Sequence, residues 1–257
     1  MDLFFQADTW VALLTLTFLE IVLGIDNIIF ISIAAAKLPK NNIKKATNIG
    51  LLLAMIFRII LLVGVTHLIA MKDPIFSIDL SWIKAGVSGQ SIILFTGGIF
   101  LLYKSTHEIH QKVEGIEHNS KKSNKIKSTL SSVIVQIVLI DIVFSFDSVL
   151  TAVGMTNGVN GALIIMITAV IVSMIIMMIF AAPVGKFVNK HPTIQMLALS
   201  FLILIGFMLV TESAHLSNAE IFGQHVGAIP KGYLYFAIAF SLGVEALNMK
   251  VRKKKRT

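Results

Sequence analysis

Two greasy stretches carry acids where acids are costly. Residues 19–29 read LEIVLGIDNII and residues 140–150 read IDIVFSFDSVL. Glu20 and Asp26 stand six positions apart in the first, and Asp141 and Asp147 repeat that spacing 121 residues later. An ionised carboxylate at the centre of a bilayer-spanning helix costs roughly 2.5–3.5 kcal/mol. Four of them facing lipid would cost about as much as a typical domain gains by folding. They must turn inward and share protons or a cation. Asn27 and Ser148 directly follow the two aspartates and add a neutral oxygen at matching positions. Donors that are all oxygen select hard cations such as Mn2+, Mg2+ or Ca2+. The chain has no cysteine, which removes thiolate sites, disulfides and thiol catalysis. Buried carboxylates also exchange a metal for protons naturally, because ligands must be deprotonated to bind.

Arg58 is the basic residue placed to reach these acids, and it leaves three of the four negative charges uncompensated. A divalent cation would cut that excess to one. Six residues of ideal helix turn the chain by about 600°, which leaves two such carboxylates roughly 120° apart. Both could face one ion only if the helix kinks or unwinds near Gly24 and Ser145, which would also release backbone carbonyls as ligands. Glu245, with Asn248 three residues on, joins Arg58 as an expected pathway or counter-ion residue. Plainer readings compete: protonated acids that merely tie helices together, Gly24 as a packing contact, the methionines of MIIMM (174–178) as core filling, and HEIH (107–110) as a solvated face.

The elements that must hold these residues follow from composition. The chain of 257 residues is 56% hydrophobic, only 14% charged, and has a mean hydropathy of +0.84. That describes a multispanning membrane protein. Seven segments are long enough to cross the hydrocarbon, at about 9–36, 47–71, 88–106, 129–153, 161–182, 193–213 and 231–249. The third is weakest, because Gly97-Gly98 interrupts it. The first segment is expected to be a retained span, since no basic region precedes it. One set of loops and the tail hold 18 basic residues and the other set holds three, so the N-terminus is expected outside and the C-terminus in the cytoplasm.

The expected fold class is all-α: a single transmembrane domain with two inverted three-helix repeats (1–106 and 129–213), a cytoplasmic linker at 107–128, an extracellular loop and seventh helix at 214–249, and a basic tail at 250–257. The two acidic stretches then fall in corresponding spans of opposite direction. The RKKKR tail reads as a topology anchor on anionic lipid rather than a nucleic-acid contact.

Taken together, EIVLGIDNIIFI (20–31), NIGLLLAMIFRII (48–60), GGIFLLYKSTHEIH (97–110), DIVFSFDSVLTAVGMT (141–156) and IPKGYLYFAIAFSLGVEALNMKVRKKK (229–255) resemble the TerC family, within the lysine-exporter-like superfamily. The resemblance covers nearly the whole chain. It implies an inner-membrane location and a link to tellurium resistance. It also implies manganese export or manganese supply to exported enzymes, with Glu20, Asp26, Asn27, Asp141, Asp147 and Ser148 as metal-site positions. The stretch 215–228 looks longer than the family pattern.

The expected function is secondary transport: outward movement of Mn2+, with Mg2+ or Ca2+ as alternatives, against protons, and with no tightly bound cofactor. A membrane adaptor that supplies metal to secreted enzymes or engages export machinery is the second class, and homo-oligomerisation is compatible with either. Amino-acid export would need sites for an ammonium and a carboxylate, and only Arg58 could serve the latter. An intramembrane aspartyl hydrolase needs two acids around a water, whereas four are present and Gly24-Ile25-Asp26 lacks the preceding glycine of GxGD proteases. The chain is not expected to be an enzyme.

Overall fold

The structure is a computed structural model that describes residues 7–114, 129–156, 159 and 161–254. Its elements are α1 (Ala7–Ala35), α2 (Lys40–Val63), α3 (Val65–Ala70), β1 (Pro74–Asp79), β2 (Ile83–Ser88), α4 (Gly89–Val113), α5 (Leu130–Met155), α6 (Ala162–Lys190), α7 (Pro192–Leu216), β3 (Glu220–Ile221), β4 (Gln224–His225) and α8 (Lys231–Lys254). They fall into two compact units, residues 1–73 with 125–189 and residues 74–124 with 190–257.

The first unit contains α1, α2, α3, α5 and α6. A tight turn over residues 36–39 folds α1 back on α2, so these two helices run in opposite directions. Small residues set the other pairings. A Cβ at Gly50 would come within 2.8 Å of Ile137, and Arg58 bonds Ser145, so α2 and α5 run parallel. Gly24 abuts the sulfur of Met177, and a Cβ on Gly185 would lie 2.8 Å from Ser32 Oγ, so α1 and α6 also run parallel. Glycine at such crossings lets backbones approach closely, which is how helices gain contact when lipid removes the hydrophobic drive between them. Thr129 caps α5 by accepting from the Ser132 amide.

The second unit pairs α4 with α7. A Cβ on Gly98 would be 2.7 Å from the Gly206 carbonyl, and one on Gly206 would be 3.0 Å from the Gly98 carbonyl. Ser213 donates to the Ser91 carbonyl at 2.7 Å, and Lys112 to Gln195 at 2.6 Å. One residue number falls as the other rises, so the pair is antiparallel. The interruption at Gly97-Gly98 is thus a contact point. Ser88 and Ser91 form a reciprocal capping box that starts α4 directly from β2.

Several expectations change here. Among the described residues, five helices are long and apolar enough to cross a membrane, or six when the bent α1 counts as one span. α4 is the expected span that falls short: its apolar middle is flanked by Gln90 and Ser91 at the start and by Lys104, Glu108 and Lys112 at the end. Residues 107–113 of the expected linker continue α4 as helix, while 115–128 lie outside the described residues. α8 likewise runs on through Lys254, into the expected tail.

The fold is also not purely helical. β1 to β4 form a four-stranded antiparallel sheet that joins the 74–88 segment to the 215–228 loop. The Trp82 and Phe222 rings meet 6.5 Å apart across it. The 74–79 strand alternates only briefly, and β3 and β4 are two residues each, too short to leave a periodic trace.

Candidate metal and counter-ion centre

Three helices of the first unit converge on one guanidinium. α1 supplies Glu20, α2 supplies Arg58 and α5 supplies Asp141, all buried. Arg58 Nη1 bonds Glu20 Oε2, Nη2 donates to Asp141 Oδ1 at 3.0 Å, and Nε donates to Ser145 Oγ at 2.8 Å. The planar fork of arginine suits such divided recognition, since its donors point to separate acceptors in fixed directions. Ser145 lies one helical turn beyond Asp141, on the same face, and donates to Asp141 Oδ2 at 2.9 Å. The carboxylates therefore arrive on helices running opposite ways and share one counter-ion.

Asn27 is 2% exposed. Its amide nitrogen lies 3.5 Å from Asp141 Oδ1, and its Oδ1 is buried with no hydrogen-bond partner among the described residues. An unpaired buried oxygen costs about 1–3 kcal/mol, so a cation or donor arriving there would recover that penalty. Ser148 donates to the Ser145 carbonyl at 3.3 Å, which keeps its hydroxyl on its own helix. The side chains of Asp26 and Asp147 lie outside the described residues. Among those described, no group of three or more His, Asp or Glu gathers as a metal cluster. The described centre is a triad of two acids and one base, with a net charge of −1.

The expected unwinding is replaced by bending. The halves Thr9–Val22 and Asn27–Ala35 of α1 meet at 40°, yet helix continues through residues 23–26, and α5 runs unbroken past Ser145. Released carbonyls are therefore not part of this arrangement. Ser145, read from the sequence as a hinge position, is instead a polar link between Asp141 and Arg58. Its i, i+4 spacing from Asp141 was the signal for that role.

Glu245 and Asn248 belong to the second unit. Glu245 accepts from Thr193 Oγ1 at 2.5 Å and from Asn248 at 3.4 Å. Thr193 stands in the first turn of α7, just after Pro192. A carboxylate beside a helix N-terminus faces unpaired amides and the positive end of the helix dipole, which favours it. Here the acid ties α8 to α7.

Residues 5–257 match the profile described as the integral membrane protein TerC family. The chain belongs to the TerC family. It is 46% identical over 248 residues to "UPF0053 inner membrane protein YgdQ" of Escherichia coli K12, covering 96% of this chain and 95% of that one. It is 42% identical over 246 residues to a "UPF0053 protein" of Haemophilus influenzae, at 96% and 95% coverage. It also matches "UPF0053 inner membrane protein YoaE" of Escherichia coli K12 at 43% over 254 residues, which is 98% of this chain but 45% of that one. No solved structure matches. With its apolar helices and these relatives, the chain is a multi-pass inner-membrane protein.

Proposed function

We propose that this TerC-family protein is a secondary transporter that exports a hard divalent cation, Mn2+ first, in exchange for protons. One observation carries the reading: two buried carboxylates from oppositely directed helices share a single guanidinium, beside a buried asparagine oxygen with no partner among the described residues. In this reading Arg58 is a tethered stand-in for the cargo. A dication entering between Glu20 and Asp141 displaces the guanidinium, and protons on the acids replace the metal on return. The site is then never left with two bare carboxylates in low dielectric, where breaking a buried pair costs about 3–5 kcal/mol.

The helix pairings favour an inverted repeat with two-fold kinship. In α1 against α6 and in α5 against α2, the residue four positions after the first acid, Gly24 or Ser145, meets Met177 or Arg58 respectively. A thioether thus stands against that residue in one pairing and a guanidinium in the other. Seven spans, with the N-terminus outside, remain part of this proposal, on the strength of the basic-residue distribution.

Proteoliposomes loaded with a Mn2+-sensitive dye test the function under an imposed proton gradient. Wild-type protein should carry Mn2+, and Asp141→Asn or Asp26→Ala should carry far less. Equal flux from all three, or none from wild type, would remove the transport reading.

A second reading, delivery of metal to exported proteins, draws on the sheet, where Phe76, Trp82 and Phe222 are more than half exposed. Partner capture that survives Asp26→Ala while Mn2+ flux is absent would favour it.

A further inference from the structure

Two cavities of the first unit meet at a single side chain. The outer is an open cleft of about 260 Å3 beside the start of α1 and the end of α5, lined by Val11, Thr15, Met155 and Thr156. The inner is a pocket of about 10 Å3 lined by Glu20, Leu62, Val149, Ala152 and Met166. That is room for about one water. Leu16 lines both and is 2% exposed. It stands one turn before Glu20 on the same helical face, and helical side chains lean toward the N-terminus, so it covers the cleft side of the carboxylate.

We infer that Leu16 is the plug of the exit route, closing the passage between the Glu20–Arg58–Asp141 centre and the face of the protein where α1 begins. The inference rests on the transport reading for its purpose but not for its geometry. The cleft offers hydroxyls from Thr15 and Thr156 to a departing cation. Thr156 donates to the Ala152 carbonyl at 2.8 Å and is 3% exposed, so its oxygen forms the buried floor of the cleft. Beyond the plug, Val149, Ala152 and Met166 present an apolar wall, so water and protons stay out while Leu16 is seated. Among the described residues, no other that lines the inner pocket also lines the cleft. Leu16 therefore stands between the acid at Glu20 and the cleft, beside the contact of Thr156 Oγ1 with Met166 Sδ at 3.6 Å.

The cysteine-free sequence makes the test clean. Single cysteines at Thr15 (cleft), Ala152 (inner pocket) and Ala181 (buried on α6, away from both cavities) are exposed to silver ion from the α1 N-terminal face, then denatured and labelled with a fluorescent maleimide. Protection from labelling reads silver access. Thr15→Cys should be protected at once, and Ala152→Cys and Ala181→Cys hardly at all. Adding Leu16→Ala should speed protection of Ala152→Cys by about thirtyfold, the change expected from losing most of a buried leucine's contribution. Ala181→Cys should stay unreactive, which shows the fold intact; Val149→Cys repeats the inner reading should Ala152→Cys fold poorly. Ready protection of the inner cysteine with Leu16 in place, or no acceleration without it, overturns the plug. Silver access is read whether or not Mn2+ is carried. Acceleration without Mn2+ flux therefore sinks the transport reading and leaves the route standing.

Discussion

Glu20 and Asp141 on one side, and Glu245 on the other, are acids in helices of membrane-crossing length, and they meet opposite fates. The first two are enclosed by α1, α2 and α5 and share Arg58 as their counter-ion. Glu245 sits on α8, none of whose apolar window is buried, and takes a threonine hydroxyl and an asparagine amide. Depth along an apolar helix does not make an acid part of an ion centre. What matters is how many other elements surround it and whether one of them brings charge. The same contrast holds for glycines. Gly24 faces the flexible end of Met177, while Gly98 and Gly206 face each other's carbonyls, which cannot rotate away.

Arg58→Ala should break this comparison hardest. It leaves two carboxylates buried without their counter-ion, and stability in detergent should fall by about 3–5 kcal/mol. If Arg58 stands in for the cargo, millimolar Mn2+ should raise the melting temperature of this variant more than that of wild type. An equal rise in both would remove the stand-in role. Next in size is Gly206→Ala, whose added carbon meets backbone; over-packing of this kind costs about 1–3 kcal/mol. Gly24→Ala should fall at or below the low end of that range, because the Met177 thioether can swing away, and Met177→Ala in the same chain should recover most of the loss. A Gly24 effect larger than that of Gly206 would show that α1 cannot adjust at its bend. The smallest effect belongs to Glu245→Gln, which keeps an acceptor for Thr193. Its melting temperature should drop less than for either glycine change, with Mn2+ flux unaltered. A flux loss on the scale of Asp141→Asn would restore Glu245 to the ion pathway.

Part of the site was legible from residue types alone. Acids at 20 and 141 in apolar surroundings demand a partner, and Arg58 was the basic residue within reach; the structure brings these three together. Ser145 was legible too, through its i, i+4 distance from Asp141, but a glycine at the matching position in α1 drew attention to bending instead. The bend did form in α1, yet without unwinding: residues 23–26 remain helical. The sheet was not readable, since its pairing of 83–84 with 220–221 joins segments far apart in sequence and strands of two residues carry no periodicity.

Sequence by itself determined that this chain lives in a membrane and that buried acids must be neutralised, because the energy of a charge in hydrocarbon depends on the residue and its immediate neighbours. Tertiary structure decided which cation does so at rest and which acid stands apart. Those outcomes depend on distances between helices, and such distances are set by glycines and side-chain shapes on elements the local sequence does not see.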